Sequence, residues 1–353
     1  MAVETTVHFN SGASVEDAKA VGPAGQNIRD WQRERGIDRR KQVSVRKLAH
    51  MRYQHPDLDE ITTFLNDFGM DVVKRTDEEA WFRGYGPDAY VYYAKKGPKK
   101  FLGGAFEVDS YEDLEKAAGL AGASPLTTLD TAPGGGSLVT VHDPEGHPIN
   151  FLYGQAVVEV AKSPEKLVIN HGDEKPRVKK FQRFQEGPAA VHKLGHYGLC
   201  VLDFDTMLDW YTRNFNFVPS DLLTIKTPSD EAQAVAVFAH IDRGTELVDH
   251  HSIFLSKAAA SHVHHSSYEV HDMDSQQLGH QWLASKNYRS VWGVGRHILG
   301  SQLFDYWWDT TGNMIEHYAD GDLVDETTPI HRMPAGHESL YVWGPDVPAT
   351  FLD

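Results

Sequence analysis

The chain has 353 residues, of which 41% are hydrophobic and 24% are charged, and its formal net charge is −16. This length suits about two folded domains, and the negative charge argues against a surface that coats nucleic acid or anionic membranes. The only cysteine, Cys200, excludes an internal disulfide, a cysteine-rich zinc site and an iron–sulfur cluster, and it favours a cytoplasmic location.

The first segment, residues 1–44, is polar and charged, and its weak periodicity predicts an N-terminal arm or a loosely packed cap. Its opening residues do not show the basic and then apolar pattern of a secretory signal. No apolar run in the sequence reaches the ~20 residues that a membrane span requires.

From residue 45 onward, one pattern recurs four times, in which a strand runs through an acidic turn into a helical period. The matched strands carry, at or near their starts, His50, Gly103, His196 and His265. A residue type that caps helix N-termini stands at one position of all four units, namely Asp57, Ser110, Asp203 and Asp272. Short strand-like runs follow each helix, including 235–240, 252–255 and 302–308, with turns at 143–146 and 309–312.

This repetition predicts an α+β fold of four βαβββ units paired into two domains, each a curled mixed sheet around a cleft with helices outside. The first pair spans 45–155 and the second spans 190–320. A charged linker at 156–189 joins the pairs, and a proline-rich tail occupies 321–353.

Two histidines in the second pair share one register, because His196 and His265 both stand at the same distance before a V-x-D sequence. A late strand of the fourth unit supplies Glu316. Two imidazoles and one carboxylate form the facial triad that holds non-heme Fe(II) and leaves coordination positions open. The sequence therefore predicts a metal site in the second domain.

These residues lie in motifs that resemble the type I extradiol ring-cleaving dioxygenases of the vicinal oxygen chelate superfamily. The motifs are G-H-Y-G-L-C-V from Gly195, D-H-H-S-I from Asp249, V-H-H-S-S-Y-E-V from Val263, G-R-H-I-L-G-S-Q-L-F-D-Y from Gly295 and N-M-I-E-H-Y-A-D-G from Asn313. The resemblance covers roughly 45–350 and is most specific in 190–320.

The resemblance implies that His196, His265 and Glu316 bind the catalytic metal, which is Fe(II), although Mn(II) suits the same ligands. It implies a catechol-type substrate and O₂ as reaction partners and a homo-oligomer. It leaves open which catechol is cleaved. The net charge argues against nucleic acid and membrane as partners.

The resemblance also implies roles for four further residues. His251 is the expected acid–base catalyst near the O₂ site, and His297 and Tyr306 are expected to contact the substrate hydroxyls. Gly198 stands where a bulkier residue or Asn is usual, so we expect a substrate contact there with room for a larger ring.

The first domain serves as an internal comparison, because it carries His50, Gly103 and Asn150 at the matched positions. Only His50 among these is a good metal ligand, so we expect this domain to be a structural duplicate without metal. In the second domain, His264 is the reserve candidate for the second ligand, and Cys200 is expected to be a small core residue.

Three other functions remain open at the level of sequence. A glyoxalase-like isomerase or lyase on the same scaffold commonly uses four protein ligands on Zn²⁺, Ni²⁺ or Mn²⁺, and one convincing glutamate makes it the second choice. A metal-free binding protein conflicts with the matched His196, His265 and Glu316. A 2-oxo-acid-dependent oxygenase shares the triad, but no site for the keto acid is evident.

Overall fold

The computed structural model describes residues 25–160, 163–336 and 339–351. Parts of three predicted segments lie outside the described residues: 1–24 of the arm, 161–162 of the linker, and 337–338 and 352–353 of the tail.

The described residues form five α-helices, four of which begin where the sequence predicts. They are α1 (Ile28–Glu34), α2 (Leu58–Asp67), α3 (Tyr111–Ala118), α4 (Phe204–Asn214) and α5 (Met273–Ser285). The side chains of Asp57, Ser110, Asp203 and Asp272 each accept hydrogen bonds from free backbone N–H groups at the start of α2 to α5, as predicted. The N-cap residue therefore sets the position at which each of these four helices begins.

The first sheet has eight strands, which are β1 (Val45–His55), β2 (Asp71–Arg75), β3 (Glu79–Arg83), β4 (Tyr92–Lys96), β5 (Lys100–Val108), β6 (Thr127–Thr128), β7 (Ser137–His142) and β8 (Pro148–Tyr153). Their order in the sheet is β2-β3-β4-β1-β5-β8-β7-β6. At its centre, β1 and β5 are antiparallel, and each also pairs in parallel with the last strand of its own unit, β4 or β8.

The later strands are β9 (Val191–Val201), β10 (Phe217–Lys226), β11 (Ala232–Ile241), β12 (Val248–Asp249), β13 (Ile253–Lys257), β14 (His262–Val270), β15 (Ser290–His297), β16 (Leu303–Trp308), β17 (Met314–Ala319), β18 (Leu323–Val324), β19 (His331–Pro334) and β20 (Tyr341–Trp343). Ten of them form a sheet in the order β19-β10-β11-β13-β9-β14-β17-β16-β15-β20, and β12 pairs with β18.

The second sheet repeats the pairing of the first, with β9 and β14 antiparallel at the centre and β13 and β17 parallel beside them. The fold is thus a two-domain α+β fold with curled mixed sheets, which confirms the predicted fold class. The predicted turns are also present, because Gly146 N–H donates to the Asp143 carbonyl and Gly312 N–H donates to the Asp309 carbonyl.

The two sheets pack against each other through buried polar contacts as well as apolar side chains. The Asn216 side chain accepts a hydrogen bond from Val45 N–H at 2.7 Å and donates to the carbonyls of Val45 and Asp242, each at 3.0 Å. On the other side of the interface, His317 donates from Nε2 to the Phe68 carbonyl at 2.7 Å and stacks on the Phe68 ring. Strand β17, which carries Glu316, is therefore anchored on the first domain.

The segment 25–44 is more tightly packed than its polar composition predicts. Ile28 and Trp31 of α1 are buried in the main hydrophobic core, at 0% and 2% exposure. Arg29 forms ion pairs with Asp242 of the second domain and Glu326 of the tail. A few apolar residues on one helix face are enough to dock a short helix when the remaining residues pair at the rim.

The tail adds one strand at each edge of the second sheet. Strand β19 pairs in parallel with β10 at one edge, and β20 pairs antiparallel with β15 at the other. This arrangement brings the tail across the cleft of the second domain. None of the helices in the described part of the chain has the length and apolar character that crossing a bilayer takes.

We expect Asn216→Ala to lower the free energy of unfolding by about 2–4 kcal/mol, because it leaves buried backbone groups of Val45 and Asp242 without partners. Thermal and urea unfolding monitored by circular dichroism measure this loss. The matched control is Asn66→Ala at an exposed position of α2, which we expect to be close to neutral. Equal stability of the two variants would contradict the role given to Asn216.

Candidate metal centre

Three neighbouring strands place the predicted metal ligands on one face of the second sheet. Ser267 on β14 lies opposite His196 on β9 and opposite Glu316 on β17. His265 stands two residues before Ser267, so its side chain points to the same face of the sheet as those of His196 and Glu316. Residues that are 120 positions apart in sequence order thus become neighbours across two strand pairings.

The three ligand atoms form a compact triangle. His196 Nε2 lies 3.1 Å from His265 Nε2, and Glu316 Oε2 lies 3.3 Å from the first nitrogen and 3.6 Å from the second. A divalent ion bound at roughly 2.1 Å to three ligands at right angles holds those ligands about 3 Å apart. The triangle therefore fits one metal ion bound on one face.

The charge of the site also favours a cation. Glu316 is fully buried, and neither carboxylate oxygen has a hydrogen-bond donor among the described residues. Burial alone would raise the pKa of Glu316, but the imidazoles of His196, His297 and His265 outweigh it and hold the pKa well below its usual range. A buried ionised carboxylate without donors is costly unless a cation neutralises it.

A histidine behind His265 fixes which of its nitrogens faces the triangle. The Phe351 carbonyl can only accept, so His264 Nε2–H donates to it. Burial lowers the pKa of His264 to about 4, so this ring is neutral and its Nδ1 accepts from His265 Nδ1–H at 2.6 Å. His265 Nε2 consequently carries its lone pair toward His196 and Glu316, the form that binds a metal.

The adjacent histidines can share this contact because β14 is irregular there. Neighbouring residues in a regular strand point to opposite faces. The pairing of β14 with β9 shifts register between Val263 and His265, as a β-bulge does, which turns His264 toward its neighbour.

His251 lies beside the first ligand, with its ring centroid 4.0 Å from that of His196. It is 3% exposed and lines the cavity in front of the triangle. Burial, followed by the charge of His196, lowers the pKa of His251 well below its usual range. His251 is therefore a neutral imidazole at the cavity wall.

His297 and Tyr306 form a second polar pair at the cavity. His297 Nδ1–H donates to the Leu340 carbonyl at 2.7 Å, so in the neutral ring Nε2 accepts from the Tyr306 hydroxyl at 2.9 Å. Burial and the nearby charge of Glu316 raise the pKa of Tyr306 well above its usual value, which keeps the hydroxyl protonated. Tyr306 also lies directly opposite Glu316 in the β16–β17 pairing.

The cavity has a volume of about 300 Å³, and its walls beyond the histidines are largely apolar. Phe238, Phe254, Leu299 and Phe351 line it, together with four residues of the tail: Ala335, Gly336, Ser339 and Leu340. Lys257 is the one Lys or Arg side chain among the lining residues, and it stands at the end of β13.

Gly198 does not line this cavity. A Cβ built on Gly198 would lie 2.9 Å from Phe254 Cδ1 and 3.0 Å from the His265 ring. The missing side chain therefore makes room for the His265 ring and for Phe254, so the space that was expected to admit a larger substrate is filled by protein. The substrate contact expected at Gly198 is not seen in this geometry.

The matched positions of the first domain have the same strand pairing as those of the second domain, but their side chains differ. Ala105 lies opposite His50 and Asn150, as Ser267 lies opposite the ligands of the second domain. Asn150 uses its amide to donate to the carbonyls of Leu102 and Gly104 and to accept from Thr140. Gly103 offers no side chain.

The structure thus brings His196, His265 and Glu316 together and sets His251, His297 and Tyr306 around them, while the roles of these residues remain predictions. Sequence reasoning missed Asp221, whose carboxylate accepts from His250 Nε2 at 2.6 Å behind His251. It also missed the Phe351 carbonyl. No sequence signal identifies a backbone acceptor, and Asp221 looks like any acidic strand residue.

Known proteins resemble this chain over most of its length. The profile of the Glyoxalase/Bleomycin resistance protein/Dioxygenase superfamily matches residues 47–151 and 193–317, which is more than half of the chain. Metapyrocatechase 2 of Cupriavidus necator is 29% identical over 91% of this chain and 96% of that protein. The 3-methylcatechol 2,3-dioxygenase of Pseudomonas putida is 24% identical over 86% of this chain and 98% of that protein.

Solved structures share the fold. The Mn(II)-bound glyoxalase from Novosphingobium aromaticivorans aligns with a TM-score of 0.70 at 21% identity, over 87% of this chain and 94% of that one. Homoprotocatechuate 2,3-dioxygenase from Arthrobacter globiformis aligns with a TM-score of 0.70 at 18% identity, over 88% and 91%. The resemblance inferred from the motifs is confirmed by these relatives, and the chain belongs to the Glyoxalase/Bleomycin resistance protein/Dioxygenase superfamily.

Proposed function

We propose that this protein is an extradiol dioxygenase that opens the ring of a catechol-type substrate beside its two hydroxyl groups and incorporates both atoms of O₂. The observation that carries this proposal is the triangle of His196, His265 and Glu316 at the end of an apolar cavity, in which the buried carboxylate has no donor among the residues described. Relatives with ring-cleaving names that align over nearly the full chain support it.

The residues present fit Fe(II) as the cofactor, held by His196, His265 and Glu316. Bound there, Fe(II) would offer open positions to the diol and to O₂ and would pass electron density between them. The same ligands suit Mn(II), so the choice of metal rests on availability as well as on this site.

The chain itself would bind and orient the diol. His251 and the His297–Tyr306 pair stand on the cavity wall around the ligand triangle. One diol oxygen can accept from or donate to the polar atoms of this pair, while His251 moves a proton at the nitrogen that faces the cavity. The apolar walls would exclude water from the reacting atoms.

The same walls indicate the kind of substituent that the ring carries. Lys257 on β13 is four residues beyond Ile253, which pairs with Tyr197 beside the first ligand. Lys257 is level with Val201, so at roughly 3.3 Å per residue its backbone lies about 16 Å along the strands from His196 and about 10 Å from His265. A carboxylate attached directly to the diol ring would lack a cationic partner, so the cavity favours an apolar substituent.

A glyoxalase-like isomerase or lyase is the alternative, because the fold is shared with the Mn(II)-bound glyoxalase from Novosphingobium aromaticivorans. Among the described residues, the metal-ligand cluster has three members, whereas such chemistry commonly draws four. Oxygen consumption with a catechol separates the two functions.

We expect the Fe(II)-reconstituted protein to consume O₂ and form a yellow ring-opened product with catechols in an oxygen-electrode assay. The kcat/KM for 3-phenylcatechol should exceed that for 2,3-dihydroxybenzoate by about 100-fold, because an unpaired buried carboxylate is penalised by several kcal/mol. Absence of O₂ uptake with every catechol would reject the proposed function. Preference for the carboxylated ring would reject only the apolar substituent.

We expect Glu316→Gln to lower Fe(II) affinity by at least about 10-fold, because the neutral amide no longer offsets the charge of the ion. Metal content after dialysis and Fe(II) titration measure the effect. Asp320→Asn, in the turn after β17 at 71% side-chain exposure, is the matched control and should retain the metal. Full iron retention by Glu316→Gln would remove Glu316 from the ligand set.

We expect His251→Phe to retain iron and lower kcat by about 10²- to 10⁴-fold, as the loss of a general acid–base does. The assay pairs single-substrate kinetics with iron analysis of the same sample. His171→Phe, in the exposed linker, is the control. Full turnover by the iron-loaded His251→Phe variant would remove the catalytic role.

A further inference from the structure

A buried polar pair, Asp221 and His250, lies behind His251 and makes no hydrogen bond to His196, His265 or Glu316. The carboxylate of Asp221 accepts from His250 Nε2 at 2.6 Å, and His250 Nδ1 lies 3.2 Å from His251 Nδ1. The exposed fractions are 4% for Asp221, 6% for His250 and 3% for His251. Burying one carboxylate and two imidazoles together costs free energy, which indicates that these three residues have a function.

The atoms of this pair determine where its protons are. An ionised carboxylate only accepts, so His250 carries its proton on Nε2. When His250 carries this one proton, its Nδ1 is the acceptor, and the proton between the two rings belongs to His251 Nδ1. The remaining nitrogen, His251 Nε2, has no hydrogen-bond partner among the described residues and is left with its lone pair for the cavity.

The surrounding structure holds this pair in place. The Ser220 hydroxyl donates to the His250 carbonyl at 2.5 Å and accepts from His240 Nδ1 at 2.7 Å. Asp221 pairs with His331 across β10 and β19, and the His331 ring lies 3.8 Å from its second oxygen. Both the backbone of His250 and the carboxylate of Asp221 are therefore fixed relative to the cavity.

We propose that Asp221 and His250 are positioning residues that hold His251 in the Nδ1–H tautomer, so that its Nε2 meets an arriving diol as a proton acceptor. The inference rests on the proposed function for its chemical meaning. A diol O–H proton passes to Nε2, and the positive charge on His251 is offset through His250 by Asp221. The same logic of a carboxylate that fixes the tautomer of an imidazole operates in hydrolase triads.

Kinetics of the iron-loaded variants test the proposal. We expect Asp221→Asn and His250→Phe to lower kcat by about 10- to 100-fold with little change in KM or iron content. His250→Gln should recover part of the loss, because its amide oxygen can accept from His251 Nδ1–H. His171→Ala, at an exposed position of the linker, is the control and should behave as the wild type.

A result in which Asp221→Asn and His250→Phe both keep wild-type kcat, or lose activity only in proportion to lost iron, would overturn the proposal. If His250→Phe fails to fold, Asp221→Asn and His250→Gln carry the test, because both preserve size. Wild-type turnover in both of these variants would likewise overturn it.

The tautomer of His251 can also be measured directly, without an activity assay. Long-range ¹H–¹⁵N spectra of the full chain, labelled with ¹⁵N-histidine and loaded with diamagnetic Zn²⁺, report which nitrogen of His251 is protonated. We expect Nδ1–H in the wild type and a loss of that preference in His250→Phe. A wild-type His251 protonated at Nε2 would overturn the proposal even if the protein cleaves catechols. If the protein does not cleave catechols, the spectrum still tests whether Asp221 and His250 fix the tautomer of His251.

Discussion

The arrangement of the second domain depends on one electrostatic constraint: in the part of the chain that the structure describes, the fully buried carboxylate of Glu316 faces two imidazole nitrogens and has no hydrogen-bond donor. Folding alone does not compensate such a group, so the site is energetically incomplete until a cation occupies it. The strands that carry the three ligands are adjacent and central in a sheet whose edges are closed by the tail. Rigid placement of the ligands follows from that central position.

One hydrogen-bond arrangement recurs among the histidines around this centre. Three imidazoles at the cavity each have an acceptor behind them: a carbonyl behind His297, and His264 and His250 behind His265 and His251. Those two rear histidines are in turn anchored by a carbonyl and a carboxylate. Because each rear partner accepts a proton, each front ring turns a lone pair toward the reaction space.

The repeat and the helix caps made the fold predictable, since N-cap residues and strand registers are local signals. The ligand triangle was predictable for a related reason: equal register in related strands places His196 and His265 on one face. The contact between His264 and His265 was not, because it depends on a bulge whose position the alternating pattern does not show. Gly198 illustrates the same limit, since only coordinates reveal which side chains fill the space beside a glycine.

The hydrogen bond between His264 and the carbonyl of Phe351 joins residues 87 positions apart. The imidazole of the second ligand therefore acquires its fixed proton arrangement only after a distant and late part of the chain has docked across the cleft. We therefore expect metal binding and docking of the final segment to favour each other, because the carbonyl of Phe351 helps to orient the imidazole that faces the ion.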